Sequence, residues 1–145
     1  VSADQMAAVK ANIAVVKGGD VTKTAGDFFV FLFKKYPALQ NKFPNYKGKS
    51  VDSLSSVGSF APHTTKVVAA VFDLVAKAGD AAGLAGAAKQ VVADHVSRGG
   101  VSGAEYADLF AALVPFLASA LGGACDQAAW TAATGAVVAA LKAAA

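Results

Sequence analysis

The sequence predicts an all-α domain of about seven or eight helices. Apolar residues recur at helical spacing in nearly every segment, as with Leu84, Ala88, Val91 and His95 at i, i+4, i+7 and i+11 on one face. Helix punctuation recurs along the chain, with capping-box patterns at Ser2–Gln5 and Ser102–Glu105 and glycine pairs at 18–19, 99–100 and 122–123. No alternating stretch competes as strand. At 145 residues, one domain spanning 1–145 is expected, large enough to bury a real core.

The first helix runs from the Ser2 cap to about Lys17, with Met6, Val9, Ile13 and Val16 inward. Gly18-Gly19-Asp20 stops it, and Asp20 caps the next. The second, about Val21 to Tyr36, holds Phe28, Phe29, Phe31, Leu32 and Phe33, buries more than one face and belongs near the centre. Pro37 ends it, because the residue before a proline avoids the α region. A short turn of helix over Ala38 to Lys42 precedes a loop, Phe43 to Lys49, whose two aromatics predict that it covers something apolar.

Val51 to Val57 reads as a short helix broken at Gly58. A cap at Ser59 puts Pro62 at the third helical position, where its missing N–H costs nothing. Beyond it, His63, Val67, Ala70, Val71 and Leu74 form the inner face. Gly79 to Gly83 reads as loop before the Leu84–His95 stripe. The Ser102 box opens a helix to about Leu121 with Pro115 inside, where a bend is expected. The last helix starts near Asp126 and carries Trp130, Thr134, Val137, Val138 and Leu141.

The chain is 55% hydrophobic and 16% charged, with much of the apolar content alanine, which favours helix. The uncharged runs Ala128 to Leu141 and Phe110 to Leu121 fall short of the roughly 20 residues a bilayer needs, so no membrane partner is expected. No secretory signal is visible at the start, and the one cysteine, Cys125, makes no internal disulfide; both fit a reducing, cytoplasmic setting. The net charge of +3 is mild, and the densest basic patch, Lys42 to Lys49, reads as a solvated loop, so no nucleic acid is expected either.

Several chemistries find no residues here. There is no phosphate-binding glycine loop, no paired-cysteine site and no His-Glu-x-x-His helix. Two histidines and one cysteine fall short of an ordinary four-ligand zinc site. What remains is His63 and His95, 32 residues apart, each on an apolar helical face. Taken singly, each is either a satisfied core or capping imidazole or a metal ligand.

Leu32-Phe33-Lys34-Lys35-Tyr36-Pro37, then Phe43, then His63 with Val67 one turn on, then His95, together resemble the globin family. The likeness covers the chain from Ser2 to the last helix. Its Pro37–Phe43–His63–His95 set is specific in combination, though no member is specific alone. Tyr36-Pro37, Asn45 to Ser50, His63-Thr64 and the late Trp130 look like intracellular invertebrate globins, among them molluscan and annelid myoglobins and annelid dehaloperoxidase. Unlike the vertebrate pattern, the first helix has no tryptophan.

The resemblance implies a globin fold around a pocket for haem b, iron protoporphyrin IX. It implies His95 as the proximal iron ligand. His63 becomes the distal residue, reaching the metal only through dioxygen, to which it donates a hydrogen bond in a dry pocket. The alternative for His63 is a solvent-facing side chain that swings out. Phe43 stacks near the haem plane, while Phe29 and Val67 flank the ligand. Val91, Val101, Leu109 and Phe110 line the proximal and lower haem surfaces, or are ordinary core. Lys66 and Arg98 pair with propionates, or are plain surface charge. Asp94 beside His95 would push electron density to the iron if it reached the ring, but the Val91 carbonyl, four residues earlier, is the better-placed partner.

The function implied is reversible oxygen binding for intracellular storage or facilitated diffusion, with CO and NO as further ligands and a monomer or weak homodimer as the assembly. The alternative is a haem peroxidase or dehaloperoxidase acting on halogenated phenols, with His63 catalytic. No arginine adjoins His63 to help split an O–O bond.

Overall fold

Helix boundaries follow the punctuation closely. The computed structural model describes residues 1–96 and 99–145. Helix α1 is Ala3–Lys17, α2 Val21–Lys35, α3 Pro37–Gln40, α4 Phe60–Ala76, α5 Ala81–Val96, α6 Gly103–Leu121 and α7 Gln127–Ala144, with 3-10 turns at Val51–Ser56 and Gly122–Ala124. No strand occurs among the described residues.

Both capping boxes close. The Ser2 hydroxyl accepts from the Gln5 N–H at 3.1 Å while the Gln5 side chain accepts from the Ser2 N–H at 3.0 Å; Ser102 and Glu105 repeat the exchange at 3.2 and 2.8 Å. Asp20 and Asp126 cap α2 and α7 through Lys23 and Ala129. Ser59 flanks α4 without a side-chain cap bond. Helix α5 starts earlier than the expected loop allowed, because the Asp80 carboxylate accepts from the Gly83 N–H and draws that glycine into the first turn. Helix α6 runs through Pro115 without a break and ends at Gly122, whose φ of +57° suits a residue without a side chain.

Helix α2 is central. Ala25, Phe28, Phe29, Leu32 and Phe33 are all buried, and the helix packs on α4 and α6. Gly26 lets α4 come close: a Cβ there would sit 3.3 Å from the Phe60 ring. Helix α7 packs on α1, α5 and α6. It carries fully buried Trp130, whose indole N–H donates to Asn12 Oδ1 of α1 at 3.0 Å. On α4 the inner face is Val68, Val71, Phe72, Leu74 and Val75, whereas Ala70 is exposed, a correction to the expected stripe.

By length and hydropathy alone Gly103–Ala124 could cross a membrane, being longer than the uncharged run Phe110 to Leu121 within it. In the fold, Tyr106, Phe110, Leu113 and Leu117 of this helix are buried against the other helices.

Candidate functional site

Two histidines anchor the site, and each is held by one ring nitrogen. On α5, His95 is half-buried in the last turn, beneath buried Leu84 and Ala88 and half-buried Val91. Its Nδ1 lies 2.7 Å from the Val91 carbonyl oxygen. An imidazole tied by Nδ1 to its own helix turns Nε2 away from that helix, and Nδ1–H is the donor in this pairing. Asp94 does not take that role, since its carboxylate accepts from the Gln90 amide at 2.8 Å.

Tyr106 of α6 meets the His95 ring edge-on, with centroids 6.1 Å apart. Its hydroxyl is buried without a hydrogen-bond partner, the one such side-chain atom among the described residues. Burial, and then the charge of Glu105, push the phenol above its ordinary pKa. A buried hydroxyl with no partner marks a wall that protein atoms do not complete.

His63 stands in the first turn of α4, half-buried in a ring cluster. Its centroid lies 6.0 Å from Phe29, 5.6 Å from Phe43 and 5.6 Å from Tyr46. Its Nδ1 is 2.8 Å from the Tyr46 hydroxyl. Phe29 and Phe33 of α2 pack against Phe43 at 6.1 and 5.5 Å, so the loop after α3 is fastened to the central helix. The side chain of Gln40 fastens it from below, donating to the carbonyls of Tyr46 and Lys49, both at 2.7 Å. The expectation that this loop covers something apolar is met where its fully buried Tyr46 packs on Phe33 at 6.3 Å and Phe60 at 5.4 Å.

The other sequence-derived residues divide by burial. Phe29 and Phe110 are fully in the core. Phe43, Val67, Val91, Val101 and Leu109 are half-buried apolar residues packed at its margin. Lys66 is exposed on α4, and Arg98 lies outside the described residues. Lys42 forms an ion pair with Glu105 at 3.4 Å, joining the α3 end to the start of α6. Burial pushes the Glu105 carboxyl up, but bonds from Ser102 and the Lys42 charge outweigh it, and its pKa falls below the ordinary value.

Sequence reasoning overlooked Gln40 and treated Tyr46 and Tyr106 only as aromatic bulk. The signal for Tyr46 was its place in a polar loop, where a buried phenol needs a partner.

The donor set bears on what the site could hold. Among the described residues no three His, Cys, Asp or Glu side chains cluster as a metal site. A porphyrin supplies four nitrogens of its own, so one well-oriented imidazole suffices. His95, the unpartnered Tyr106 hydroxyl and the half-buried apolar margin fit such a group. Two surface clefts of about 540 and 550 Å³ lie elsewhere, one by Asn12 and Cys125, the other by Met6 and Gly79.

Comparison with known proteins gives one answer by three routes. The globin family model matches residues 26–141. Globin CTT-Z of Chironomus thummi piger is 33% identical over 134 residues, covering 90% of this chain and 78% of its own. Globin CTT-V of the same organism is 34% identical over 113 residues, covering 76% and 69%. Among solved structures, ferric Aplysia limacina myoglobin matches with a TM-score of 0.83 and 28% identity, over 99% of this chain and 98% of that one. Its azide complex matches with a TM-score of 0.84, at the same identity and coverage.

Proposed function

Because the chain belongs to the globin family, we propose that it holds haem b with His95 on the iron and His63 on the opposite side, and that it binds dioxygen reversibly for storage or facilitated diffusion inside cells. The observation that carries this reading is the His95 ring. Its Nδ1 is committed to the Val91 carbonyl at 2.7 Å, which turns Nε2 outward from the helix and leaves it as the ring nitrogen available to a metal.

Haem iron, when bound, supplies the centre at which dioxygen, CO and NO are taken up. The chain's own residues set the conditions. His95 ligates and orients through its helix-tethered ring. His63 presents a hydrogen-bond donor on the ligand side. Phe29, Phe43 and Val67 exclude water there, which slows oxidation of the iron. Val91, Val101, Leu109 and Phe110 form the proximal and lower wall. Lys66, exposed on α4, serves a propionate, as does Arg98 by its place in the sequence; exposed ion pairs of this kind contribute only ~0–1 kcal/mol.

The Tyr46 bond holds His63 against the phenylalanine wall. A restrained distal histidine favours a carrier over a peroxidase, which benefits from a distal residue free to move and from a guest pocket.

The test is the visible spectrum of purified protein loaded with haem, reduced, in air and then under nitrogen. A Soret band that shifts reversibly between two ferrous forms is expected. No band after haem addition would remove the reading. Instant conversion to a ferric form with rapid halophenol turnover under peroxide would replace it by the enzyme.

A further inference from the structure

We propose that Tyr46 sets the tautomer of His63: its hydroxyl donates to Nδ1, so the ring proton resides on Nε2. This rests on the haem reading above and adds a residue to it, with Tyr46 acting through His63 as a positioning residue. The oxygen and Nδ1 are 2.8 Å apart, a full hydrogen bond.

Two arrangements satisfy that distance, and acid–base chemistry chooses between them. A phenol is a better proton donor than a neutral imidazole N–H, and an imidazole nitrogen is a far better acceptor than a phenol oxygen. Phenol-to-Nδ1 is therefore the stable direction. Burial raises the Tyr46 pKa from 10.0, with partial opposition from Ser59, so the phenol keeps its proton at neutral pH.

The donor is delivered from a rigid platform. Tyr46 is 1% exposed, and its ring packs on Phe60 at 5.4 Å and Phe43 at 5.7 Å. Its carbonyl is gripped by buried Gln40 at 2.7 Å. Its backbone N–H donates to the Phe43 carbonyl at 2.9 Å. The hydroxyl cannot follow His63 outward, so an outward swing of the ring must break the bond.

The consequence is chemical. With the proton on Nε2, His63 offers a donor to a ligand carrying partial negative charge. With the proton on Nδ1, it would offer a lone pair and repel that ligand. Nothing in the spacing of His63 alone decides between these.

The experiment uses haem-loaded, CO-bound protein with ¹⁵N-labelled histidine. Long-range ¹H–¹⁵N spectra report which ring nitrogen carries the proton, and stopped-flow measurement gives the dioxygen dissociation rate. Wild type is expected to show His63 protonated on Nε2 alone. Tyr46→Phe, which keeps the ring and loses the hydroxyl, is expected to populate both tautomers and to release dioxygen roughly five-fold faster, the equivalent of one ordinary hydrogen bond. Tyr36→Phe, a half-buried tyrosine at the end of α2, controls for generic loss of a phenol. Wild-type His63 protonated on Nδ1 overturns the proposal, and that spectrum decides even if Tyr46→Phe fails to fold. Either an unchanged tautomer or an unchanged dissociation rate in Tyr46→Phe also overturns it. Failure to take up haem at all is a separate result, visible before any spectrum of His63, and overturns the haem reading and this inference with it.

Discussion

The Nδ1 of His95 sits 2.7 Å from the Val91 carbonyl oxygen, while the adjacent Asp94 carboxylate turns to Gln90. A carbonyl acceptor leaves the imidazole less electron-rich than a carboxylate would. That suits reversible ligand binding better than peroxide cleavage. Asp94→Asn is therefore expected to leave the ferrous iron–histidine stretching band in place and to change the peroxide rate by less than about two-fold, the reach of a surface charge. A shift of that band comparable to known carboxylate-linked haem histidines would show that Asp94 reaches the ring after all. His95→Gly is expected to lose haem during gel filtration and to retain it when imidazole is supplied.

Asn12 and Trp130 make the second prediction. Asn12 is 6% exposed. Its Oδ1 accepts from Trp130 Nε1 at 3.0 Å and from the Asp126 N–H at 3.1 Å, and its Nδ2 donates to the Ala124 carbonyl at 2.8 Å. One amide thus satisfies three groups where α1 meets the start of α7. Asn12→Leu strands all three, at a cost of about 2–4 kcal/mol in urea unfolding of the haem-loaded protein. A cost under about 1 kcal/mol would mean that water replaces the amide.

Glu105 makes the fold sensitive to acid. Its carboxyl pKa is lowered in the folded chain, so its contribution is present above the unfolded value of about 4.5 and is lost as pH falls through the folded one. Glu105→Gln can still accept from the Ser102 N–H, so it removes chiefly the charge facing Lys42. The variant is expected to unfold more readily than wild type at pH 6, with the gap closing below about pH 4. An equal gap at both pH values would show that the charge facing Lys42 is not what the substitution removes.

Sequence exposed what is local. The boxes at Ser2–Gln5 and Ser102–Glu105, the stop at Gly122 and the Leu84–His95 stripe depend on residues within a turn or so of each other, where spacing is geometry. The Val91 partner of His95 was legible for the same reason. Tyr46 was visible as an aromatic in a polar loop, but not its bond to His63, because a loop of unknown course separates them. Asn12 lay on the α1 face among Val9, Ile13 and Val16, and its partners, 112 to 118 residues away, are set only by tertiary packing. Ala70 misled because alanine fits an exposed helical face as readily as a buried one.

Tyr106 yields the last prediction. Its hydroxyl is buried without a partner, 7% of the residue being exposed. Its ring meets His95 edge-on at 6.1 Å. An unsatisfied hydroxyl costs ~1–3 kcal/mol, and phenylalanine keeps the ring contact while removing that cost. Tyr106→Phe is therefore expected to stabilise the haem-free chain by about 1 kcal/mol in urea unfolding. If the hydroxyl adjoins the space a haem fills, the gain shrinks once haem is seated, because the bound group changes the hydroxyl's surroundings and not those of phenylalanine. An equal gain with and without haem would place the hydroxyl away from the cofactor. A loss in the haem-free chain would mean that the hydroxyl holds a water there, and that the His95 wall is already complete without the haem.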